Sequence, residues 1–210
     1  CGSPDNSEPP APLTDINNGL RFDQIWTIKT GAGISAGSYN RQPLLVGDEI
    51  FTVDIEGLIK NIDAESGKLK WDFETGIESI TGLFGNNKII VASSRNGELN
   101  IYDRTDNNLN LRWSSRLKGE IRSAPVTNAD SLFIRTVDGR LSSISKADGS
   151  IQWTVSHLVP ALSLTGNSAP ILYNELVIAG FDDGKLAAFD QTNGQVVWEI
   201  TVSQPTGRSE

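Results

Sequence analysis

The sequence predicts an all-β chain, a β-propeller of four-stranded blades, on three observations. A motif of the form G-x-L-x-x-x-D-x-x-x-G-x-x-x-W recurs four times, at Gly57–Trp71, Gly97–Trp113, Gly139–Trp153 and Gly184–Trp198. The five tryptophans lie 45, 42, 40 and 45 residues apart, the period of a propeller blade. No stretch carries helical periodicity.

The chain begins with a proline-rich polar stretch, residues 1–20, which holds four of the nine prolines and almost no apolar side chain. It reads as a flexible tether, because such a segment cannot bury enough surface to offset the entropy of ordering it. Extended, it reaches roughly 60 Å. The propeller is expected over 21–210. Trp26, in Q-I-W-T-I, looks like the closing strand of a further copy whose front half is missing.

Four blades are expected, at about 40–71, 80–113, 121–153 and 166–198. Each opens on an inner strand, with S-A-P at Ser123 and Ser168 placing proline where no ladder donor is needed. Q-P-L-L at Gln42 is a looser version. Short β-rich runs follow at Glu49, Lys88, Ser131 and Glu175, each ending near a glycine turn. The motif supplies the last two strands. In the fourth copy, Asp190 is expected to accept hydrogen bonds from turn amides, and Asn193-Gly194 to supply the positive φ that reverses the chain. The second copy carries two extra residues in this turn, and the third has Ser145 in place of Asp. A lone blade cannot hide its tryptophan, so the units must stack.

Composition narrows the function. The net charge of −8 and the lack of any long Lys/Arg cluster argue against a nucleic-acid partner. Apolar runs of about four to six residues fall far short of the roughly 20 that span a bilayer as a helix. Cys1 is the only cysteine, and no methionine is present. Two readings of Cys1 stand: the acylated N-terminus left by cleavage of a bacterial lipoprotein signal, which is the expectation adopted, or a fragment boundary. Acyl chains at Cys1 would anchor the protein at about 0.8 kcal/mol per buried CH₂.

Catalytic signals are weak. His157 is the only histidine, so a His-based metal site or a Ser-His-Asp system would have to enlist it, and no neighbour in sequence supports that role. It reads as a loop residue. T-G-A-G-I-S-A-G, Thr30–Gly37, misses the dinucleotide fingerprint by one residue and leads into a strand, not a helix. Asp182-Asp183 reads as a turn rather than a calcium site. Gly180–Lys185 resembles a phosphate loop, but its spacing is short and Leu186 stands where Ser or Thr is required. The strongest functional segment is His157–Ser168, H-L-V-P-A-L-S-L-T-G-N-S, longer than a tight connection requires. Leu162 and Leu164 are either tucked beneath this loop or exposed as a hydrophobic anchor for a protein partner.

The repeat resembles that of quinoprotein-type propellers, which include pyrroloquinoline-quinone alcohol dehydrogenases and several non-enzymes. A closer resemblance is to the BamB family, lipoproteins of the outer-membrane β-barrel assembly machinery. It is carried by the Cys1 start leading into W-T-I-K-T-G-A-G-I, by V-P-A-L-S-L-T-G-N-S-A-P from Val159 to Pro170, and by V-S-Q-P-T-G-R-S-E from Val202. The resemblance implies an eight-bladed ring, of which about four blades, the N-terminal half, are present. It implies a non-catalytic scaffold without cofactor or metal, anchored by lipid on the periplasmic face of the outer membrane. Its partners would be a POTRA domain of BamA, the rest of the assembly complex, and nascent β-barrel proteins. The family docking motif is Leu-Ser-Leu-Arg-Gly. Leu162, Ser163, Leu164 and Gly166 match it, and Thr165 stands where the family has Arg, so docking would rest on the leucines. The alternative is a fragment of a quinone-dependent periplasmic dehydrogenase. A single cysteine excludes the vicinal disulfide such enzymes often carry.

Overall fold

The computed structural model describes residues 22–32, 42–77, 80–157 and 168–203. Its strands are β1 (Leu44–Val46), β2 (Glu49–Val53), β3 (Leu58–Asp63), β4 (Leu69–Glu74), β5 (Ile80–Gly85), β6 (Ile89–Ser94), β7 (Glu98–Arg104), β8 (Leu109–Arg116), β9 (Val126–Thr127), β10 (Ser131–Arg135), β11 (Arg140–Ser145), β12 (Ile151–Ser156), β13 (Ile171–Tyr173), β14 (Leu176–Gly180), β15 (Lys185–Asp190) and β16 (Val196–Thr201). They form four separate four-stranded antiparallel sheets, each pairing its strands in chain order. These are the blades the repeats predict, and no helix occurs among the described residues. The S-A-P segments lead into inner strands, which begin one residue after Pro125 and Pro170, at Val126 and Ile171.

The core is three seams between blades. Phe51 and Ile59 of blade one meet Leu83, Ile90, Ala92, Tyr102 and Leu109 of blade two around Trp71. Val91, Leu99 and Ile101 of blade two meet Leu132, Ile134 and Ile144 of blade three around Trp113. Phe133 and Leu141 of blade three meet Val177, Ala179, Ala187 and Phe189 of blade four, with Trp153 packed alongside. A middle blade lies between two seams, so β6 and β10 are buried on both faces. Their sequences are accordingly continuous apolar runs, I-I-V-A and L-F-I, rather than alternating ones.

Every blade carries a register shift at the same place, between Asn61 and Ile62, Ile101 and Tyr102, Ser143 and Ile144, and Ala188 and Phe189. The bulged outer-strand residues are Lys70, Arg112, Gln152 and Val197. Because the outer strand gains one residue, the side chain two before each tryptophan is turned to the opposite face from the tryptophan itself. Leu69, Leu111, Ile151 and Val196 hold that position, and all are exposed. Trp71 and Trp113 are buried in the following seam.

The indoles of the first three blades then reach a target on the next blade. Trp71 Nε1 donates to Asp106 O at 3.1 Å, Trp113 to Lys146 O at 2.9 Å and Trp153 to Gln191 O at 3.0 Å. Trp26 makes the same bond to Ala64 O of blade one at 3.1 Å, although residues 22–30 join no strand ladder. It therefore meets blade one as the tryptophans of blades one to three meet the blades that follow them. Lining the space beside this segment are Ile28, Pro43, Leu45, Ile50 and Ile62, around an apolar groove of about 500 Å³.

In blades one and four the turn between the last two strands is organised by its motif Asp, as expected, whereas Asp103 of blade two pairs with Arg112 instead. Asp63 Oδ1 accepts from Ser66 N at 2.8 Å, and Asp190 Oδ1 accepts from Thr192 N at 2.8 Å and Asn193 N at 3.2 Å. In the third blade, Ser145 Oγ accepts weakly from Ala147 N, and Asp148 takes over by accepting from Ser150. One expectation needs correction: Gly194 alone has positive φ, at 72°, whereas Asn193 stays in the ordinary region. The turn closes by a Gly194 N to Asp190 O bond four residues back, which needs a left-handed residue only at its last position.

Between blades one and two the apolar seam ends in a polar lock. Buried Glu49 receives Arg104 of blade two, Lys70 Nζ at 3.1 Å and Asn61 Nδ2 at 3.1 Å. The Arg104 guanidinium also lies 4.9 Å from the centroid of Phe51.

Candidate functional site

The segments that connect blades share one rim with the turns joining the second and third strands. At each of those turns a glycine, Gly57, Gly97, Gly139 or Gly184, has positive φ and offers its carbonyl to the start of the inter-blade connection. The donors are Thr75 N, Leu117 N, His157 N and Val202 N, at 2.9–3.1 Å. A Cβ at Gly97 would stand 2.5 Å from Leu117 O, so the motif's first glycine is required by both backbone conformation and close approach.

A polar residue three before the glycine caps the turn in the first three blades. Asp54 Oδ1 accepts from Glu56 N and Leu58 N, Ser94 Oγ from Asn96 N and Glu98 N, and Thr136 Oγ1 pairs with Asp138. Blade four has Phe181 there, and Asp183 caps Lys185 N instead. At Asp54, burial pushes the carboxyl up, but the amides of Ala32, Leu58, Glu56 and Gly57 outweigh it and hold it below its ordinary value. The Ala32 bond brings the start of the Gly-rich Thr30–Gly37 segment onto blade one. Residues 33–37 lie outside the described residues.

Phe181 is matched by His157, which stands where the other connections have Thr75, Leu117 and Val202. The imidazole stacks on the Phe181 ring at 3.8 Å and 16°, and meets Phe189 edge-on at 6.0 Å. Its Nδ1 lies 3.5 Å from Asp183 Oδ2 and its Nε2 3.9 Å from Glu199 Oε2, while Lys185 Nζ holds the other oxygen of Glu199 at 2.6 Å. His157 is thus a loop residue, as its sequence context suggests, but one half-buried against Phe181 and Phe189. Its partners lie more than twenty positions downstream, and only a periodic comparison of the turns exposes Phe181 as an anomaly.

Beside this stack, Arg135 at the end of β10 pairs with Asp182 Oδ1 at 2.8 Å, with both side chains almost fully buried at 5% and 6% exposure. The guanidinium also lies over Phe181, 5.7 Å from its centroid. Asp182-Asp183 is a turn, as its sequence suggests, and each carboxylate is engaged across the seam to blade three. Farther along the rim, Glu120 is bonded by Arg95 and Arg122. Burial would raise its carboxyl, but these two guanidiniums hold it below its ordinary value.

Leu162, Ser163, Leu164, Thr165 and Gly166, expected from the sequence to dock a partner, lie outside the described residues, as does Cys1. The flanks of that loop, His157 and Ser168, are both described. No group of three or more His, Cys, Asp or Glu residues suited to a metal occurs among the described residues. A polar cavity of about 380 Å³ opens on the opposite rim, lined in part by Lys88, Arg112, Asp130 and Lys146. Two of its cations are already satisfied, Arg112 by Asp103 and Lys146 by the carbonyls of Asn128 and Ala129.

Comparison with known proteins places this architecture. The chain is 30% identical over 216 residues to an outer membrane protein assembly factor BamB from Yersinia pestis, covering 95% of this chain and 53% of the relative. It is likewise 30% identical to the Vibrio cholerae protein of that name, covering 100% and 55%. The chain thus spans about half the length of the curated relatives it matches. Among solved structures, the crystal structure of BamB from Moraxella catarrhalis superposes with a TM-score of 0.72 at 22% identity, over 82% of this chain and 52% of that one, a likeness of fold. The family profile described as outer membrane protein assembly factor BamB matches residues 55–210. On that match, which takes in three of the four blades whole and the last two strands of the first, the chain belongs to the BamB family.

Proposed function

We propose that the chain is a non-catalytic scaffold of outer-membrane β-barrel assembly, docking to a periplasmic POTRA domain of BamA through Leu162 and Leu164. The supporting observation is the connection between β12 and β13. It runs from His157 to Pro170, whereas its counterparts run only from Thr75 to Ser79 and from Leu117 to Pro125. A connection of that length is more than blade stacking requires, and its sequence carries two leucines. Two exposed leucines at the centre of a contact can supply most of its affinity.

In this reading residues 1–20 tether the propeller to the outer membrane through acylated Cys1, on the periplasmic side, and Thr165 leaves the contact without the arginine of the family motif. The names of the relatives support a role in assembly rather than in dehydrogenase chemistry. The test is co-purification of BamA with the complete reading frame, wild type against Leu162→Ala/Leu164→Ala. Capture of BamA by the wild type and its loss in the double variant is the expected result. Equal capture by both removes the leucines from the contact, and no capture by folded wild type removes the docking role.

A further inference from the structure

Blade four departs from the repeat at Gly180, Phe181 and Asp182, where blade three has Arg135, Thr136 and Val137; Gly180 and Phe181 meet the connection that precedes it, and Asp182 meets blade three at Arg135. Phe181 replaces the polar cap used at the same turn in blades one to three, giving up a local hydrogen bond. Its ring stacks instead on His157, the residue just before the long connection. Gly180 stands where the other blades have Val53, Ser93 and Arg135. A Cβ there would come within 3.9 Å of Ser168 Oγ, so Ser168, just past the other end of the same loop, lies alongside it. Asp182 is bound to Arg135 and Asp183 faces His157, so the turn of blade four is itself fixed to blade three. The turn keeps a local cap, Asp183 accepting from Lys185 N, while Phe181 faces the connection.

We propose that Gly180–Asp183 is a clasp that holds the two ends of the His157–Ser168 loop, with Phe181 as its positioning residue. The inference rests on the docking role proposed above for that loop. By gripping both ends from blade four, the clasp limits how the leucines between them can be presented, and so lowers the ordering cost a partner must meet on binding. The stack, rather than a charge, carries the effect: the two rings lie 3.8 Å apart and 16° from parallel.

Three variants test it: Phe181→Leu and His157→Ala break the stack, and His157→Phe preserves it. Amide hydrogen exchange from His157 through Ser168 is measured beside affinity for the purified POTRA region of BamA, with exchange in blades one and two as the control. Phe181→Leu and His157→Ala are expected to speed exchange across this stretch and to weaken binding about twofold to tenfold, the range for loss of one aromatic pair. Blades one and two should be unchanged, and His157→Phe should match the wild type in both readouts. Unchanged exchange in the two stack-breaking variants overturns the clasp. Faster exchange with unchanged affinity overturns the positioning role, and a His157→Phe variant that behaves like His157→Ala overturns the stack as its basis. If wild type itself fails to bind, the docking reading falls, and exchange alone then decides the clasp.

Discussion

Trp113 and Gly149 are two halves of one contact across the seam between blades two and three. The indole Nε1 bonds Lys146 O at 2.9 Å, and a Cβ on Gly149 would stand 2.7 Å from the ring at Cε3. Trp26 meets Gly67 and Trp153 meets Gly194 in the same way. The glycine and tryptophan that end one motif copy therefore do not serve each other. Each serves a neighbouring blade, which is why the motif is retained only in series.

Gly149→Ala should accordingly be costly for two reasons, a positive φ of 76° and overlap with Trp113. Together these are expected to remove about 2–4 kcal/mol from folding stability. Gly47→Ala is the control: its φ of 62° is equally left-handed, but nothing lies within 4 Å of its added Cβ. It should cost about 1–2 kcal/mol. Urea midpoints for the two variants would read the difference.

Replacing indole by phenyl isolates the hydrogen bond. Lys146 O also accepts from Arg112 at 3.3 Å, so Trp113→Phe leaves that carbonyl partnered and should cost about 0.5–1 kcal/mol beyond the lost ring area. Trp153→Phe withdraws the indole donor from Gln191 O and should cost about 1–2 kcal/mol. Equal losses in denaturation would contradict this assignment.

The buried Arg135–Asp182 pair should outweigh any surface pair of the chain. Removing the carboxylate with Asp182→Ala is expected to cost about 3–5 kcal/mol, whereas Glu98→Ala, which breaks the exposed pair with Arg116, should cost about 0–1 kcal/mol. A double-mutant cycle on each pair gives the two coupling energies directly.

Much of the fold was legible in the sequence because a propeller repeats its instructions. The opening glycine and the tryptophan recur in every copy, the aspartate in three of the four, and the paired apolar runs mark the strands between them. Neither the bulge opposite Asn61–Ile62 nor its three counterparts left a residue signature, since the bulged positions are Lys70, Arg112, Gln152 and Val197, with no common chemistry. Likewise the His157–Phe181 stack joins two residues that look ordinary when read along the chain. It emerges only when the four turns are compared, with Asp54, Ser94 and Thr136 standing where blade four has phenylalanine.

Acid should erode stability. Asp54 and Glu120 are held below their ordinary values, and so are Asp63 by its bonds from Ser66 and Asp190 by its bonds from Thr192. A carboxyl whose folded value is depressed contributes stability that is complete above its unfolded value, about 4, and is lost as pH falls through the lower folded value. The denaturation midpoint should therefore be flat from neutral pH to about 5 and fall below about 4. Asp54→Asn, which keeps an acceptor oxygen but cannot titrate, should lower the plateau and shallow the acid limb.

The most direct measurement of the central claim is the dissociation constant between the purified POTRA region of BamA and the complete reading frame of this chain, without its lipid. Leu162→Ala/Leu164→Ala is run beside it, with circular dichroism as the check on folding. The account predicts saturable binding by the wild type and a loss of about thirtyfold or more in the double variant, the effect of truncating a hot spot. Folded wild type that fails to bind, or a double variant that binds equally well, would contradict it.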